Sequence, residues 1–92
     1  MNLDQEAVKA AIRAQVIKLA GELGMDGSEI GDDDIIPATG LLDSTAILQL
    51  VMWYEQAYDF PLKQEEINID NLGSINAMTG FLLARKAAGA TK

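Results

Sequence analysis

One stretch of this sequence constrains the fold more than any other: Ile47, Leu50, Val51, Tyr54 and Tyr58 recur at i, i+3, i+4, i+7 and i+11. That period puts them on one face of an α-helix, whereas a strand would put alternate residues on one face. A helix from about Ser44 to Tyr58 with a continuous apolar seam is therefore the piece against which the rest must pack. Leu48 and Met52, four apart, fall on a different face with Thr45 and Glu55. Small bundles bury wide stripes, so the pair either packs under a neighbouring segment or forms an exposed patch, a role that suits adaptable Met. Trp53 lies a helical side away, near Ala46, and reads as a packing residue.

The run Gly40-Leu41-Leu42-Asp43-Ser44 leads into this helix. Asp43 or Ser44 can serve as its N-cap, a side-chain oxygen accepting a backbone N–H of the first turn. Ser44 can equally be a modification site, since free N–H groups and the dipole at a helix N-terminus suit a phosphate. The local motif is compatible with both readings.

Upstream, Asp4 to Leu23 carries Val8, Ala11, Ile12, Ile17, Leu19, Ala20 and Leu23 near helical spacing, with Gly24 as its stop. Met25 to Leu42 is a long connection holding Gly27, Gly31, Pro37 and Gly40. Ordered loops of that length are usually functional or internally packed. Its apolar residues Ile30, Ile35, Ile36, Leu41 and Leu42 are expected to fold back on the bundle. Asp32, Asp33 and Asp34 lack the alternating spacing and terminal Glu of a calcium loop and read as a solvated acidic stretch. Downstream, Pro61 ends the second long helix. Lys63 to Ile69 is expected to form a short helix or turn anchored by Ile67 and Ile69. Ser74 is the expected N-cap of a last helix through Ile75, Met78, Leu82 and Leu83. The expectation is one all-α domain over 1–86 with a flexible tail over 87–92: three main helices, one short helix and a long loop between helices one and two.

Composition narrows the function. Hydrophobic residues make up 49% of the chain, above the range of disordered sequences. Neither Cys nor His is present, which removes thiolate chemistry, disulfides and the commonest general base. A self-contained catalytic domain is therefore not expected. Fourteen acids against seven bases give a formal charge of −7, which repels nucleic acid and anionic lipid. No apolar run is long enough to span a membrane, and no signal-peptide pattern is visible. The sequence reads as a cytoplasmic, acidic monomer that other proteins act upon.

Taken in order, these segments resemble the acyl carrier and peptidyl carrier protein family. The likeness rests on Gly40-Leu41-Leu42-Asp43-Ser44 after a long loop and on Ile47 to Glu55. It continues through Tyr58-Asp59-Phe60-Pro61-Leu62 and Asn71-Leu72-Gly73-Ser74-Ile75, so it covers about Thr39 to Leu83. The first helix agrees only in length and pattern.

The resemblance implies a four-helix bundle of acyl-carrier type whose Ser44 receives 4′-phosphopantetheine from coenzyme A through a phosphopantetheinyl transferase. The arm's thiol would hold an acyl or aminoacyl group as a thioester, supplied by an activating ligase and consumed by a downstream transferase. Asp43 would help place the phosphate, Leu42 would anchor the loop, and Thr45, Leu48, Gln49 and Met52 would meet partners. Thr45 stands where the family most often has Leu, and Glu55 is the first acid after Asp43 on helix two. Thr45 bears on recognition by the transferase, and the scarcity of acids on helix two points to a specialised, stand-alone carrier. The expectation from a different class is an unmodified helical interaction module, in which Ser44 is merely a cap and the Leu48/Met52 face binds a partner helix.

Overall fold

The structure, a computed structural model, describes the backbone of residues 4–90 and the side-chain surroundings of residues 4–86. It is an all-α domain, with no strand among the described residues. Three long helices, α1 (Gln5–Glu22), α3 (Ser44–Ala57) and α5 (Ile75–Ala90), are joined by two one-turn helices, α2 (Ile36–Thr39) and α4 (Ile69–Leu72). A 3₁₀ turn at Gln64–Glu66 precedes α4. α5 packs on α1 and α4, and α1 packs on α3.

α1 starts where Asp4 caps it, its carboxylate accepting the Glu6 N–H at 3.1 Å. It stops where Gly24 turns left-handed at φ 77°. The Met25 N–H then returns to the Ala20 carbonyl at 2.8 Å, satisfying an otherwise orphaned acceptor. Val8, Ile12, Val16, Leu19 and Ala20 form its buried face. Val16 thus joins the core, while Ile17 is only half-buried. Leu23, expected in the stripe, lies beyond the last turn and is 44% exposed.

The connection from α1 to α3 is more ordered than its glycines and acids suggest. Ile30, Ile36 and Leu42 are buried as expected, but Ile35 faces outward. Ile35 caps α2 in extended geometry, and two successive residues at that junction point to opposite sides. The acidic run is not simply solvated. Asp32 pairs with Arg13 and, at 3.6 Å, with Lys9. Asp33 accepts from the Asn76 amide at 2.7 Å, and Asp34 accepts the Gly31 N–H at 2.8 Å. The Asn76 N–H also donates to the Asp32 carbonyl at 2.9 Å. The acids fasten the loop to α1 and α5.

Leu50, Val51 and Tyr54 of the predicted seam are buried, joined by Ala46, and Ile47 and Tyr58 pack at its margins. Tyr54 is fully enclosed, and its hydroxyl donates to the Met78 carbonyl at 2.7 Å. Trp53 is half-buried with its ring edge-on to Tyr58. Beyond α3, Asp59 adopts φ 48° and the Phe60 N–H closes on the Glu55 carbonyl at 2.9 Å, which drives Phe60 into the core. Arg85 of α5 lies over the Phe60 and Phe81 rings at 5.3 Å and pairs with Glu66, tying the 3₁₀ turn to the bundle.

Ile67 and Ile69, expected as anchors of this segment, are both exposed; Leu72 is the buried residue. A single turn offers few inward positions, and in α4 the one that meets α5 falls at its end. Ser74 caps α5, its hydroxyl accepting the Ala77 N–H at 3.0 Å. α5 continues to Ala90, so residues 87–90 of the expected tail are helical, in keeping with the high helix propensity of their alanines. Thr91 and Lys92 lie outside the described residues.

Candidate functional site

The start of α3 is built by a chain of local bonds. Gly40 ends α2 at φ 76°, a conformation that favours glycine. The Thr39 hydroxyl donates to the Ile36 carbonyl at 2.7 Å and accepts the Leu41 N–H at 3.2 Å. Leu42 then enters the core, holding the strand of backbone just before the helix. Asp43 is extended, and its carboxylate accepts the Ala46 N–H at 2.8 Å.

Asp43 is therefore the N-cap, and Ser44 is the first residue of the helix. Ser44 is exposed, and among the described residues no hydrogen bond engages its hydroxyl. Nor is the Ser44 or Thr45 backbone N–H taken by another described residue. The site thus offers a solvent-facing hydroxyl beside two free helix N-terminal donors, an arrangement favourable to a phosphoryl group. It does not activate that hydroxyl. The chain has no His, and one oxygen of the adjacent Asp43 carboxylate is taken up by the cap. Among the described residues no group of three or more His, Cys, Asp or Glu side chains is placed to hold a metal ion.

Thr45, Leu48, Gln49 and Met52 all lie on the exposed side of α3, Leu48 at 57% and Met52 at 48% exposure. Two depressions flank this face. On the side of Thr45 and Gln49 lies a hollow of about 90 Å³ between α3 and the end of α1. Leu19 and Ala46 form its floor, while Leu23, Glu22 and Asp43 complete the rim. On the opposite side, Ile47, Leu50 and Val51 face Ile69, Leu72 and Met78 across an apolar cleft of about 190 Å³. Ile47 lies one helical turn from Ser44, so the cleft begins close to the hydroxyl.

The sequence reading contained the exposed face but neither depression. The outward Ile67 and Ile69, two isoleucines next to a turn, were the available signal for the cleft. The hollow depends on where α1 stops relative to α3, which periodicity within one helix does not encode. No helix among the described residues is long and apolar enough to cross a membrane. Comparison with protein-family models, with curated proteins and with solved structures finds no match.

Proposed function

We propose that this chain is a stand-alone carrier of acyl-carrier type, carrying 4′-phosphopantetheine on Ser44 and serving a dedicated biosynthetic pathway. The observation that carries the reading is the free, exposed Ser44 hydroxyl at the head of a 14-residue helix that Asp43 already caps. A serine retained only to cap α3 would be doing what its neighbour does. The residues present fit the group: Ser44 Oγ is accessible, and among the described residues the Ser44 and Thr45 N–H groups at the same helix end have no partner, the kind of donors that suit a phosphate.

Attachment forms a bond from Ser44 Oγ to the β-phosphorus of coenzyme A. The pyrophosphate P–O bond breaks, 3′,5′-phosphorylated adenosine leaves, and the hydroxyl proton passes to a base of the transferase. When bound, the arm supplies the thiol for a thioester, a sulfur that a chain without cysteine lacks. Leu42, buried beneath the site, holds the approach to α3 in register. The exposed Leu48/Met52 face offers ligase and downstream transferase an apolar contact, and the cleft beginning at Ile47 suits an apolar acyl chain better than a charged aminoacyl group.

Intact mass after incubation with coenzyme A, Mg²⁺ and a broad-specificity phosphopantetheinyl transferase tests the proposal. Wild type is expected to gain one phosphopantetheine adduct. Ser44→Ala is expected to gain none and to unfold at the wild-type denaturant concentration, whereas Asp43→Ala loses about 0.5–2 kcal/mol of stability with the cap. An adduct on Ser44→Ala sinks the assignment of the residue. Absence of any adduct on wild type, with the Leu48/Met52 face still binding a partner, favours the unmodified interaction module.

A further inference from the structure

Any enzyme that reaches Ser44 Oγ must cover the start of α3, and that surface does not end at α3. The end of α1 lies against it, and between them sits the hollow whose rim carries Leu23, Glu22, Asp43, Thr45 and Gln49. Leu23 is an apolar side chain left 44% exposed just past the end of its helix. Both charged groups on the rim are acidic, and among the described residues no basic side chain lines it. A docking partner complementary to this place brings an apolar side chain to the hollow and a Lys or Arg toward Glu22 and Asp43.

Resting on the carrier reading above, we infer that the transferase that modifies Ser44 docks on a two-helix surface. It seats an apolar residue against Leu23 in the hollow between α1 and α3 and sets a basic residue opposite Glu22 and Asp43. The end of α1 is thus part of the recognition surface, with Leu23 as the apolar contact and Glu22 as the steering charge.

The test compares initial rates of adduct formation, read by intact mass with coenzyme A and the broad-specificity transferase, for wild type, Leu23→Gln, Glu22→Lys and Glu65→Lys. Both rim substitutions suit the end of α1, since neither adds negative charge at the negative end of the helix dipole. Circular dichroism and denaturant midpoints equal to wild type establish that the variants are folded. Glu65→Lys makes the same change in net charge as Glu22→Lys on the exposed 3₁₀ turn, away from the hollow. Leu23→Gln is expected to lower kcat/KM by about tenfold or more at all salt concentrations, as loss of a central apolar contact does. Glu22→Lys is expected to lower it by a smaller factor that shrinks as salt rises, with Glu65→Lys unchanged. Wild-type rates for folded Leu23→Gln and Glu22→Lys overturn the two-helix surface while leaving the carrier reading intact. Equal losses for Glu22→Lys and Glu65→Lys reduce the effect of Glu22 to net charge and overturn its place in the contact. No adduct on wild type removes the carrier reading and this surface together.

Discussion

Two residues show how much rests on single side chains. Asp43 and Ser44 are equivalent cap candidates in the sequence, and only the backbone decides between them: Asp43 is extended and one position earlier, so its carboxylate reaches the Ala46 N–H. That single bond releases Ser44 from structural duty. Tyr54 is the opposite case, a residue whose period alone announced its burial. Burial pushes its phenol well above the ordinary value of 10.0, and neighbouring Tyr58 adds to the effect, while Arg85 and a backbone hydrogen bond act against it. Burial also raises Tyr58. The unfolded phenol ionises near pH 10 while the folded one stays protonated. The stability it contributes is therefore complete below that pH and is lost as pH climbs beyond it toward the folded value. Denaturant midpoints are expected to be flat through neutral pH and to fall above pH 10, with a shallower fall in Tyr54→Phe. An unchanged slope in that variant would place the alkaline sensitivity elsewhere.

At the scale of elements, the long helices were legible because their amphipathic period repeats over several turns and their caps are written in adjacent residues. Gly24 and Ser74 each do what their residue type announces, while Asp4, read as the start of the first helix, is its N-cap. The short elements were harder to read. α2 and α4 are single turns, too brief for a period, and their stability comes from bonds made elsewhere: the Ile36 N–H of α2 donates to the Gly73 carbonyl at the end of α4, at 2.7 Å. Gly73 also lies so close to Ile69 that a Cβ there would overlap the Ile69 carbonyl oxygen and side chain. Gly73→Ala is accordingly expected to destabilise the domain by roughly 1–3 kcal/mol, because backbone must move to admit the methyl. It should also disturb the cleft, whose wall Gly73 and Ile69 share. An unchanged denaturant midpoint would mean that α4 adjusts freely and does not fix the cleft.

For the molecule as a whole, charge and contact surface are partly separated. The net charge of −7 was plain from composition, but its distribution was not. Asp32, Asp33 and Asp34 are spent on holding the loop, and α3 carries no acid between Asp43 and Glu55. A partner that uses the Leu48/Met52 face therefore meets an apolar surface, with charge confined to its margins. Raising salt from low to moderate ionic strength is expected to slow association modestly and to leave dissociation nearly unchanged, which stopped-flow binding to such a partner would measure. A steep rise in the dissociation rate would put ion pairs at the centre of the contact.

The bonds from Asn76 to Asp32 and Asp33 also have a consequence in time. The side-chain bond to Asp33 joins residues 43 positions apart, and closing so large a segment has an entropic cost that only a formed α5 can offset. A growing chain emerges from its N-terminus, so α1, the loop and α3 are all made before Asn76, the residue that fastens the loop to α5, exists. The loop leading to Ser44 acquires its final tether only once α5 has been synthesised and has docked. An enzyme that recognises the assembled start of α3, rather than a linear stretch of sequence, thus meets its target after folding and not during translation.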